Sequence, residues 1–183
     1  MESVPNYTIL EFLQAKDTSE FMFYMEFIKP ENKFCNNVFR TADMTFNEFH
    51  TIIEILQNPK VLDIKELFVH LFRVRGTFEK SAEKMFLDES AIQFFKAKKF
   101  LENFIRSKLE YEKEALFSIP NDKMIEVNAY KRLAPYNVLM TKMRIGEQFS
   151  IDPEIVGTWK YTKVLNIMAV NTLRANIQQE INV

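Results

Sequence analysis

Three glycines against eighteen phenylalanines in 183 residues confine this chain to helices more firmly than any motif it carries. Glycine supplies the positive φ angles that tight hairpins need, and no alternating β-branched run is bounded by Asn-Gly or Asp-Gly. Helix starts, by contrast, recur. Thr8 and Glu11 stand at capping-box spacing before a short helix over 8–16, and a second helix over 17–28 ends before Pro30. Thr45 and Glu48 repeat the box, with Met44 and Phe49 at the two ends of a hydrophobic staple. Phe46, Phe49, Ile52, Ile53 and Leu56 then mark a 3.6-residue stripe, which Asn58-Pro59 stops. Ile64, Leu67, Phe68, Leu71 and Phe72 share a face of the next helix, expected to close near Gly76, so that 45–75 forms a helical hairpin.

A long central helix is expected around 90–116, opened by Asp88 or Ser90, with Ser90 and Gln93 again at capping-box spacing. At ~1.5 Å per residue it would span roughly 40 Å. Its apolar stripe is Phe94, Ala97, Leu101, Phe104 and Ile105. Beyond Ile119-Pro120-Asn121, two short helices divide near Ala134-Pro135, the second closing at Gly146. Asp152, Pro153 and Gly157 frame one or two further turns as N-cap, first helical residue and stop. A C-terminal helix around 159–181 carries Tyr161, Val164, Leu165, Met168, Ala169, Leu173 and Ile177 at three- and four-residue spacings. The expectation is an all-α, irregular multi-helix bundle forming a single domain over 1–183.

Composition narrows the function classes. With 47% hydrophobic residues the chain can bury a core of its own, and Cys35 has no second cysteine to pair with. No basic segment followed by an apolar run opens the chain, and no apolar stretch approaches the ~20 residues that cross a bilayer. A soluble protein made in a reducing cytoplasm is expected. The net charge of −1 provides no global attraction to nucleic acid or to anionic membranes. The densest basic run, Lys96, Lys98 and Lys99 with Arg106 and Lys108, is interleaved with Glu102, Glu110, Glu112 and Glu114, as on a solvated, ion-paired helix face. Neither a membrane partner nor a sequence-specific nucleic-acid partner is expected.

Catalytic and metal signatures are missing from the sequence. His50, with Glu54 four residues on, has no further ligands nominated, and it reads as a surface histidine; His70 reads as a helix-face or core-edge residue. Glycine-rich phosphate loops, the Gly-x-Ser-x-Gly elbow and helical Glu-x-x-His pairs do not occur. Cys35 reads as a small, partly buried side chain. No catalytic residue, cofactor or metal is therefore assigned, and a small helical enzyme or regulator with an unrecognised site is the last of three alternatives.

Surplus apolar surface points instead to protein partners. Phe21, Met22, Phe23, Tyr24, Met25 and Phe27 leave only Glu26 polar, more than one core face requires, and the last helix joins Trp159 and Tyr161 to a long apolar stripe. Phe21, Phe23, Phe27, Trp159 and Tyr161 are the interface candidates. The stretches Met44-Thr45-Phe46-Asn47-Glu48-Phe49, Ile53-Glu54-Ile55-Leu56 and Leu67-Phe68-Val69-His70-Leu71-Phe72-Arg73 resemble small helical proteins from the structural gene clusters of tailed bacteriophages. So do the aromatic helix at Ala91-Ile92-Gln93-Phe94-Phe95 and the closing Trp-x-Tyr helix from Trp159 to Ile181; together they cover about half of the chain. The resemblance implies a non-enzymatic virion protein assembled in the host cytoplasm, a neck or tail ring or connector subunit in a homo-oligomer or hetero-assembly. A tail assembly chaperone that holds tail proteins transiently is the alternative it also implies.

Overall fold

The computed structural model describes residues 6–181, so the ends of the expected domain, 1–5 and 182–183, lie outside the described residues. The fold is all-α. In chain order the helices are α1 (Ile9–Gln14), α2 (Ser19–Met25), α3 (Phe46–Gln57), α4 (Val61–Leu71), α5 (Ala82–Asp88), α6 (Ala91–Ala115), α7 (Asp122–Glu126), α8 (Ala129–Leu133), α9 (Asn137–Phe149), α10 (Pro153–Gly157) and α11 (Tyr161–Ile181). Short 3-10 turns occupy Thr41–Asp43 and Ala134–Tyr136, and extended pairing among the described residues is limited to isolated bridges. Two compact units emerge. The first takes the described residues up to Thr41 together with Ile52–Arg106, and the second takes Ala42–Thr51 and the residues from Ser107 onward.

In the first unit, Thr8 caps α1 as the sequence predicts, its hydroxyl accepting from Glu11 N at 3.2 Å while Glu11 Oε2 accepts from Thr8 N at 2.8 Å. The start of α1 is also tied to the start of α6: Ile9 N donates to Glu89 O and Ala91 N to Tyr7 O, both at 2.8 Å. Ile9 and Ala91 are buried, so water cannot serve their amides, and the reciprocal pair does. Gln93 takes no part in the capping box expected with Ser90, because its amide donates to Lys33 O at 2.6 Å.

Phe34 centres the aromatic core of this unit, with ring centroids 5.2 Å from Phe68, 5.6 Å from Phe72 and 5.5 Å from Phe86. It is delivered by a two-residue turn in which Cys35 (φ 45°) and Asn36 (φ 59°) are both left-handed and Phe34 and Asn37 exchange backbone hydrogen bonds at 2.9 and 2.8 Å. Each such aromatic pair adds roughly 0.5–1.5 kcal/mol beyond its buried area. A neighbouring cluster joins Phe21, Met25 and Ala91 with Tyr7, Phe12 and Phe95 around them.

α4 ends sooner than expected. Arg73 takes the left-handed position (φ 50°), Arg73 N donates to His70 O at 3.1 Å and Val74 N to Val69 O at 2.9 Å, a Schellman closure with Val74 buried behind it. Gly76 serves the next turn, where a Cβ would lie 2.6 Å from Lys80 O. α5 has no counterpart among the expected helices; Ser81 caps it by accepting from Lys84 N at 3.2 Å.

The second unit repeats the clasp. Thr45 and Glu48 form the predicted capping box, Glu48 Oε2 accepting from Thr45 N at 2.7 Å and Thr45 Oγ1 from Glu48 N at 3.2 Å. Phe46 N donates to Trp159 O and Tyr161 N to Met44 O, each at 2.9 Å, tying the start of α3 to that of α11. Lys160 to Asp43 at 3.0 Å and a stacked Phe49–Tyr161 pair at 4.0 Å brace the same junction.

α9 runs past Gly146, the expected stop, to Phe149. Ser150 is the left-handed residue (φ 52°), with Ser150 N donating to Glu147 O at 3.3 Å and Ile151 N to Gly146 O at 2.9 Å. Glycine is required at 146 for proximity, since a Cβ there would lie 2.9 Å from Ile151 O and 3.3 Å from Pro153. Substituting the two positions should therefore give opposite signs. Gly146→Ala, despite a helix-propensity gain of about 1 kcal/mol, should lower the urea midpoint, whereas Ser150→Gly should raise stability by about 0.5–1 kcal/mol by relieving the left-handed cost.

Candidate functional site

The second unit holds a cleft of about 450 Å³. Phe46, Leu116, Val138, Met140 and Met168 give it apolar walls; His50, Glu112, Asn137, Thr141 and Arg144 supply its polar groups. The clasp sets its inner end, because anchoring the first turn of α3 places Phe46 and His50, four residues apart, on one helix face.

His50 is not the surface residue the sequence suggests. Its ring lies edge-on to Phe46 at 4.5 Å and to Phe49 at 5.3 Å, and its Nε2 is buried with no hydrogen-bond partner among the described residues. Burial, reinforced by the Lys142 ammonium, pulls its pKa down to about 4, so the ring is neutral at pH 7. Glu112 is shifted the other way, above the ordinary glutamate range, by burial against a smaller opposing pull from Tyr161. The Tyr161 hydroxyl is buried and close enough to Glu112 to feel its charge, yet makes no hydrogen bond of good geometry. Burial first, then Glu112, pushes Tyr161 above the normal tyrosine range. Lys142 itself is held by both oxygens of Glu154, at 3.0 and 2.9 Å.

The interface candidates separate into core and surface. Phe21 and Tyr161 are each only 1% exposed and belong to the cores of their own units. Phe23 and Phe27 are 59% and 71% exposed, with ring centroids 5.3 Å apart, and Phe23 walls a groove of about 510 Å³ with Met22, Ile28 and Phe95. Trp159 is half-buried, edge-on to Phe149 at 5.7 Å, with Lys163 Nζ 3.2 Å above its ring. α11 departs from the expected continuous core stripe: Tyr161, Val164 and Leu165 are buried, but Leu173 and Ile177 are exposed.

Elsewhere the chemistry is muted. Cys35 is buried, its Sγ 3.6 Å from Met85 O, and burial together with the neighbouring Glu89 pushes its thiol up to about 12, so it is no thiolate at neutral pH. Lys96 pairs with Glu31 at 3.2 Å, Lys98 with Glu102, and Lys99 donates to Glu26 O at 2.8 Å. His70 is exposed on α4. Among the described residues there is no group of three or more His, Cys, Asp or Glu side chains that could hold a metal ion, and no helix is long and apolar enough to cross a membrane.

The His50 shift has a signed consequence. Its folded pKa of about 4 lies below the ordinary 6.5, so the unfolded chain binds more protons between those values and this histidine removes stability as pH falls from 6.5 to 4. Glu112, shifted upward, acts with the opposite sign as pH rises above its unfolded value. Imidazole resonances followed by NMR should show His50 titrating near pH 4, whereas a midpoint near 6.5 would place the ring in water. No family model, curated protein or solved structure matches this chain.

Proposed function

We propose that the protein is a non-enzymatic interaction subunit whose second unit completes its apolar packing against other protein subunits. The supporting observation is an imbalance between the units. Of the twenty-five buried hydrophobic side chains among the described residues, seventeen lie in the first unit and eight in the second; of the twenty-four large hydrophobics left exposed, eight lie in the first and sixteen in the second. Those of the second unit are patterned. Val170, Leu173, Ile177 and Ile181 advance by three, four and four residues along α11, and Tyr136, Leu139 and Met143 advance by three and four from the N-cap of α9, so each set lies along one helix face. Scattered exposed apolar residues need no explanation, but aligned ones fit a buried interface.

Within that class, the resemblance of 44–56, 67–73, 91–95 and 159–181 to tailed-phage proteins supports a ring or connector subunit of a virion neck or tail. Its neighbours would then be copies of the same chain. Surface substitutions away from special contacts usually change stability by no more than about 0.5 kcal/mol, so Leu173→Glu with Ile177→Glu can test association without unfolding the chain. Light scattering over a concentration series should show an oligomer for the parent protein and a monomer for the double variant, with circular dichroism unchanged. A parent protein that stays monomeric throughout would contradict this reading.

A further inference from the structure

We propose that the cleft between the start of α3, the end of α6, α9 and α11 is a binding site for a small, uncharged, hydroxylated apolar molecule of the phenol class. This goes beyond the interaction role and does not depend on it. A volume of about 450 Å³ falls in the range of small-molecule sites, and the lining sets five apolar side chains beside five polar ones that can orient a ligand.

The polar groups select the ligand. His50 Nε2 is buried without a partner, and a neutral imidazole nitrogen must either donate or accept. The Glu112 carboxyl, partly withdrawn from water on the same cleft, donates when protonated and accepts when ionised. Where one of these groups holds a proton and the other does not, a ligand hydroxyl can accept from the first and donate to the second. An ammonium could only donate, and its charge would be desolvated against Phe46, Leu116 and Met168; a carboxylate could pair with Arg144 but only accept, leaving whichever of His50 and Glu112 accepts without a partner. Both groups stand on helices rather than loops: His50 on α3, fixed at its first turn by the capping box and the bond to Trp159 O, and Glu112 on α6.

Matched probes test this, with p-cresol and toluene differing by one hydroxyl. In heteronuclear NMR titrations of the full chain, p-cresol should give saturable shifts at Phe46, His50, Glu112 and Thr141, and toluene should bind the same place roughly fivefold or more weakly. His50→Phe keeps the ring against Phe46 and Phe49 but removes both nitrogens, and it should erase most of the difference between the probes. Glu112→Met provides a second, independent removal if His50→Phe does not fold. Equal affinity for the two probes, shifts that map elsewhere, or no saturable shift because the cleft holds water alone would each overturn the proposal.

Discussion

Each unit depends on a pair of helix starts that satisfy one another. A helix leaves its first amides without partners, and here the first residues of four helices, Ile9, Ala91, Phe46 and Tyr161, are all buried. Water cannot reach those amides, and a buried donor left unpaired costs roughly 1–3 kcal/mol. Two reciprocal backbone pairs remove that cost, Ile9 with Glu89 and Ala91 with Tyr7 in one unit, Phe46 with Trp159 and Tyr161 with Met44 in the other. In both, the earlier helix adds a Thr–Glu capping box, so its start is fixed by side chain and backbone together. Helices 82 and 115 residues apart in sequence, counted from Ile9 to Ala91 and from Phe46 to Tyr161, are thereby held start to start.

The same anchoring has different consequences in the two units. In the first, the anchored helices close over clustered phenylalanines, with Phe34 brought in by a turn that spends two left-handed residues on its placement. The second has fewer buried side chains around Tyr161 and leaves the outer faces of α9 and α11 apolar. That incompleteness supports a role as a subunit among subunits. It also leaves room for the His50 cleft, where the clasp holds a neutral imidazole on a lining that Glu112 shares.

The boxes at Thr8 and Thr45 are legible in the sequence because their chemistry is local, a hydroxyl and a carboxylate three residues apart. Their partners at Glu89-Ser90-Ala91 and Trp159-Lys160-Tyr161 are not, since backbone pairing over long range has no side-chain signature. Helix ends mislead for a related reason: the left-handed positions go to Arg73 and Ser150, while Gly76 and Gly146 are needed for close approach. Ser90 and Gln93 have the right spacing for a box, but Lys33 O offers the Gln93 amide a better partner. His50 reads as exposed because the apolar stripe of α3 takes in Phe46 and Phe49, the aromatic neighbours that bury it, without the histidine beside them. The surplus of apolar residues is visible in the sequence; which of them the fold buries, Phe21 and Tyr161, and which it exposes, Phe23, Phe27 and Leu173, depends on tertiary packing.

Native-state hydrogen exchange, read amide by amide, tests the paired-start account most directly. First-turn amides normally exchange quickly, because only water serves them. The account predicts that Ile9, Ala91, Phe46 and Tyr161 exchange as slowly as amides within the helices they open. Exchange at those four positions as fast as at Asp122 and Ala129, the first residues of α7 and α8, would contradict it.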